Sequence, residues 1–181
     1  MKKVIVIGTI HLDWTPKSEL LLEVKKHKPD KIFIELTKKE VEGGRENSIR
    51  DEMFFVLNFA EEENIPYYLF DTDINTLKEG VTGKEKGFLE YENKVKKLLS
   101  DYSWKDLNSR KPWENSEVKK NEDYIVEKFF DIEKMKQRNE LISKNIQENL
   151  VEGTNVIVTG AGHITDLLED LPNSVAPLRK K

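Results

Sequence analysis

The sequence contains no cysteine, which excludes a disulfide framework, a thiolate metal site and a cysteine nucleophile. Any metal must be held by His, Asp or Glu, and only three histidines are present. No stretch approaches the roughly 20 apolar residues that a membrane span requires. The apolar run after Met1-Lys2-Lys3 stops at Gly8 with no small-residue cleavage site behind it, so it is a strand and not a signal peptide. A cytoplasmic protein without membrane contact is expected. There is no basic excess either: 30 Lys and Arg stand against 34 Asp and Glu, for a net charge of −4. The lysines are interspersed with acids, which disfavours nucleic acid as a partner.

What is present is a chain of 181 residues, 37% hydrophobic and 35% charged. That suits one core, a small sheet dressed by amphipathic helices. Val4–Ile7, Ile32–Ile34, Tyr67–Phe70 and Asn155–Val158 are short apolar runs of the kind buried on both faces of a parallel sheet. Between them lie helical patterns. The first begins at Thr15-Pro16 and carries Leu20, Leu21 and Val24. The second, about Ser48 to Glu63, places Ile49, Met53, Val56, Leu57 and Ala60 on one face. A long helix shows Ile132, Met135, Ile142, Ile146 and Leu150, and a last one runs from Ile164 to Leu171. The fold class expected is therefore α/β, a small and mostly parallel sheet flanked by helices, as one domain over 1–181. From Lys84 to about Asp131 only short stripes such as Phe88, Val95 and Leu98 appear, with Trp104 and Trp113 around Pro112. This reads as a helical insert or lid whose tryptophans offer apolar surface to a substrate.

Ligands of such sheets collect beyond the carboxyl ends of the strands. Those ends carry Gly8-Thr9-Ile10-His11, Glu35, Asp71 with Asp73, and Gly160-Ala161-Gly162-His163. A glycine after a strand permits a tight turn, and the histidine three residues later can swing over the sheet edge. Glu35 follows a buried run directly, where an unpaired carboxylate is costly and must find a partner. Asp13, Thr15, Asp71 and Asp73 also suit helix caps or Asx turns. His27, on an apolar helix face, suits a structural role. On the long helix, Arg138 and Asn139 interrupt the apolar stripe. They either pair with Glu35 or a strand end, or reach the site to hold an oxygen.

These segments, with Lys28-Pro29-Asp30, Ile34-Glu35-Leu36, Phe70-Asp71 through Thr76-Leu77 and Arg138-Asn139, resemble the TraB/PrgY family. That family belongs with the Tiki proteases and is distantly similar to the erythromycin esterases and haem-binding ChaN proteins. The likeness covers roughly 3–80 and 132–172. Thr72 stands where the family carries an arginine, and the C-terminal membrane segment common among TraB relatives is not found. The family's arginine after the second strand corresponds to Arg45 or Arg50. The resemblance implies an α/β fold and a site of paired Gly-x-x-His motifs with a glutamate and an arginine. It implies metal-dependent peptide hydrolysis on the Tiki side and sequestration of a peptide signal on the PrgY side.

The leading expectation is a hydrolase of a peptide amide or an ester bond. In it His11, Glu35 and His163 act on zinc or manganese as ligands, or as ligand plus base, and Arg138 serves the oxyanion. Asp71, Asn139, Gly8 and Gly160 are expected to contact the substrate. In a metal-free variant one histidine is the general base. The alternative is a module that binds a peptide or small ester or amide ligand without turnover.

Overall fold

In the computed structural model the chain is described over residues 1–11, 14–45, 50–81 and 86–179. Asp13, Ser48, Ile49 and Lys84 lie outside these ranges, as does the side chain of Phe88. Five strands form one all-parallel sheet: β1 (Lys2–Thr9), β2 (Lys31–Ile34), β3 (Tyr67–Leu69), β4 (Gly153–Gly160) and β5 (Ser174–Val175), in the order β3-β2-β4-β1-β5. The α/β architecture is as the sequence pattern demands.

The reason for the continuous apolar runs is visible in how they divide. Ile5 and Ile7 of β1 join Ile32, Ile34, Val156 and Val158 under α1 (Lys17–Lys26) and α3 (Asp51–Glu62). Val4 and Val6 face the other way. They pack with Phe33 and Ile157 against α7 (Ile132–Asn149) and α8 (Ile164–Asp170). Alternate residues thus feed two cores, which is why Val4–Ile7, Ile32–Ile34 and Val156–Val158 are apolar without a break.

β4 runs between β1 and β2, with Thr9 opposite Gly160 and Ile34 opposite Val158. This register brings both Gly-x-x-His turns and Glu35 to one edge. Helix α2 (Lys38–Gly43) follows immediately, opened by a capping box between Thr37 and Glu40, a device worth about 1 kcal/mol. Helix α1 begins later than the Thr15-Pro16 pair suggests: Pro16 is its cap residue, while the Thr15 hydroxyl bonds to the backbone of Ile10 and steadies the first turn.

The insert is helical: α4 (Lys86–Leu98), α5 (Arg110–Trp113) and α6 (Ser116–Phe129). It has its own small core of Leu99, Leu107 and Val118. Of its described residues only Phe130 lines the large cavity at the sheet edge. Trp104 is 5% exposed and belongs to the α1/α3 core, its indole N–H donating to Glu19. Trp113 donates to the Leu107 carbonyl. The insert is anchored by Asn108, whose amide accepts from Gly8 N (2.8 Å) and donates to Gly8 O (2.9 Å), as an adjoining strand would. Asn108 is 3% exposed, so its loss leaves both groups unpaired, at about 1–3 kcal/mol each. Asn108→Ala is expected to destabilise the protein by about 2–4 kcal/mol in urea unfolding; a change under about 0.5 kcal/mol would show that the insert is held some other way.

Candidate active site

Glu35 is 2% exposed and is the centre of the edge. Its Oε2 accepts from the Thr159 hydroxyl (2.6 Å) and from Gly160 N (2.5 Å). Its Oε1 faces Arg138 Nη2 at 3.3 Å, His163 Nε2 at 3.6 Å and Arg50 Nη2 at 3.8 Å. Burial pushes the carboxyl's pKa up. His163, Arg50, Thr159 and Gly160 more than offset it, holding it at about 2 against an ordinary 4.5.

Asp71 is the second anion. Arg138 grips it with two parallel bonds, Nε to Oδ1 (2.9 Å) and Nη2 to Oδ2 (2.8 Å), and Arg50 adds Nη1 to Oδ2 (2.7 Å). Burial would raise this pKa too, and the two guanidinium groups lower it instead. Arg50 also donates to the Glu35 carbonyl at 3.0 Å. Of the two candidates after the second strand, Arg50 therefore serves the site. Arg45 lies at the surface and pairs with Asp51.

The two histidines have different company. His11 Nδ1 lies 2.6 Å from Glu52 Oε1, which also accepts from the Thr9 hydroxyl at 3.0 Å. A carboxylate there receives the Nδ1 proton and leaves Nε2 with a free lone pair. Nε2 lies over Gly160, where an added Cβ would come within 3.3 Å of it. His163 Nε2 instead faces Arg138 Nη1 at 3.3 Å. Both imidazoles are about a quarter exposed and line a cavity of about 700 Å³ that also contains Glu35, Arg50, Asp71 and Arg138. The rim is formed by Thr37, Lys39, Asp73 and the segment to Leu77, and of the insert's described residues only Phe130 contributes.

Three residues expected to contact the substrate do not line the cavity. Asn139 donates to Asp166 at 3.1 Å and is not part of the cavity wall, because neighbours on a helix diverge by about 100°. Gly8 is enclosed: a Cβ there would meet Ile164 Cδ1 at 2.4 Å and Asn108 Oδ1 at 3.0 Å, so its role is close packing. Gly160 spends its N–H on Glu35 and gives room to the His11 ring.

Glu52 was not anticipated. It falls four residues before Val56 and eight before Ala60, on the apolar face of α3, and is 3% exposed. An acid on a core-facing stripe is the signal that singles out Glu35, and it applies equally here.

Two imidazoles and a carboxylate suit zinc or manganese by type, but their surroundings do not. Both oxygens of Glu35 are already engaged, one by Thr159 and Gly160, the other by guanidinium groups. A divalent ion between Glu35 and His163 would lie against Arg138 and Arg50. Among the described residues no three His, Asp or Glu side chains are grouped to hold a metal. The donor set does not fit the expected ion.

Also among the described residues, no helix is long and apolar enough to cross a membrane. No protein-family model, curated protein or solved structure matches the chain.

The buried carboxylates set an acid limit on stability. Glu35 titrates near 4.5 when unfolded and near 2 when folded, so its contribution is full above the ordinary range and lost as pH falls from 4.5 towards 2. Glu35→Gln is expected to lower stability at neutral pH by on the order of 3 kcal/mol and to shallow the acid limb of a stability-versus-pH curve. An unchanged limb would mean that the carboxylate is not held by these partners.

Proposed function

We propose that this chain is a metal-independent hydrolase of an amide or ester bond, built on the TraB/PrgY pattern, with His11 as its general base. The observation that carries the reading is the 2.6 Å contact between His11 Nδ1 and the buried Glu52, with the ring lining the cavity. A carboxylate behind an imidazole fixes its tautomer and stabilises the imidazolium formed when Nε2 takes a proton.

The reaction needs no further group. A water held at His11 Nε2 loses a proton to it as its oxygen bonds to the carbonyl carbon. The carbonyl oxygen takes up the negative charge facing Arg138 and His163, in the field of two guanidinium groups. As the tetrahedral adduct collapses, the bond to the leaving nitrogen or oxygen breaks and His11 returns its proton to that atom. Glu35 and Asp71 hold the arginines in place, so that little reorganisation is needed when charge develops.

One observation favours the alternative, a module that binds without turnover. Arg138 is engaged on every side, by Asp71, Glu35 and His163, which suits a structural clasp as well as an oxyanion site. Turnover separates the two readings. In a mass-spectrometric screen of peptides and simple esters, a hydrolysed substrate should be found, with a rate indifferent to a chelator. His11→Ala should lower kcat by about 10²–10⁴-fold, and Glu52→Gln by at least about tenfold with little change in KM. Hydrolysis at the wild-type rate by His11→Ala would end the proposal, as would loss to a chelator restored by zinc. A ligand bound tightly and never cleaved would establish the binding module.

A further inference from the structure

A second cavity, of about 170 Å³, lies between the insert and the rear of the sheet edge. It holds roughly six water volumes at about 30 Å³ each, well below the roughly 300–1,000 Å³ of sites for larger ligands. Only a small molecule fits.

Its walls carry two charges of opposite sign. Glu122 comes from α6 and Arg179 from the segment after β5. Neither side chain forms an ion pair or hydrogen bond among the described residues, although both are partly buried. The fully buried acids Glu35 and Glu52, by contrast, each have partners. Burial, with Asp123 beside it, holds the Glu122 carboxyl above its ordinary range, the behaviour of an acid lacking a cation. Trp113 and Ile164 supply apolar wall to the same cavity, and Thr165 also lines it. The Trp113 ring is fixed by its bond to the Leu107 carbonyl.

We propose that this cavity is a binding site for a free α-amino acid, its ammonium on Glu122, its carboxylate on Arg179 and its side chain against Trp113 and Ile164. A guanidinium matches a carboxylate with two parallel bonds, and a half-buried carboxyl gains most from a compact cation. Volume and chemistry agree: the space is of the size of a single small molecule, and a molecule bearing only one charge would leave the other wall unmatched.

The site's position gives it a lever on the candidate active site. Asn108, which clasps Gly8 below the His11 turn, lines this cavity, and so do Ala161 and Gly162 of the His163 turn. An occupant would therefore pack against the His163 turn directly and touch the His11 turn only through Asn108. Binding itself does not depend on the hydrolase reading, and the experiment reads heat and not turnover.

Isothermal calorimetry of the full chain against each of the twenty free α-amino acids tests the proposal. At least one is expected to bind with one-to-one stoichiometry, and its N-acetyl amide, which lacks both charges, is expected not to bind. Glu122→Gln and Arg179→Gln should each weaken affinity at least about tenfold without altering the circular dichroism spectrum. His11→Ala should leave affinity unchanged, which places the ligand outside the larger cavity. No binding by any amino acid would overturn the proposal. So would equal binding of the blocked derivative, indifference to both charge substitutions, or loss of binding in His11→Ala.

Discussion

A carboxylate placed inside a protein must be neutralised where it stands, and Glu35 imposes that requirement on five elements at once. It leaves β2 between two cores, 2% exposed. Its oxygens draw in Thr159 and Gly160 from β4, Arg138 from α7 and Arg50 from the start of α3. The arginines in turn require Asp71, beyond β3, to balance them. Without the carboxylate the two guanidinium groups would repel each other across one anion, and the N-terminal half of α7 would have little to hold it. That half buries almost nothing: Ile132 is 45% exposed, and the buried residues of α7 begin at Ile142. Its function is to carry Arg138 over the edge of the sheet.

Around this centre the two imidazoles are differentiated by their neighbours and not by their motifs. Both follow a strand by the same Gly-x-x-His spacing. His11 meets an anion, Glu52, while His163 stands between a cation, Arg138, and an anion, Glu35. An imidazole backed by a carboxylate is suited to accept a proton at its far nitrogen. One that faces a guanidinium is suited to hold an oxygen beside it. The same guanidinium groups make the site a poor host for a divalent ion, and the metal-independent reading proposed above rests on that difference.

Much of this arrangement was legible in the sequence. Four of the strands, their parallel arrangement, the two histidine turns and the burial of Glu35 follow from apolar runs and the glycines that end them. The break in the α7 stripe at Arg138 was also visible. What was hidden has physical reasons. β5 is two residues long, Ser174–Val175, too short for any periodicity. Asn139 looks equivalent to Arg138 in a linear reading, and the turn of the helix sends it to Asp166 instead. Trp104 in a charged segment suggests a lid, but its burial in the α1/α3 core depends on a tertiary contact with Glu19 that no local pattern encodes. Glu52 and the Thr37–Glu40 capping box left signals that were present, an acid on an apolar stripe and a Thr-x-x-Glu spacing.

The most direct test of the central claim, that Glu52 presents His11 as a base, is the protonation pattern of the His11 ring by nitrogen-15 NMR of histidine-labelled protein at neutral pH. The account predicts a single tautomer, with the proton on Nδ1 and a bare Nε2, and loss of that preference in Glu52→Gln. A ring protonated on Nε2 alone, or one that averages both tautomers in the wild type, would contradict it.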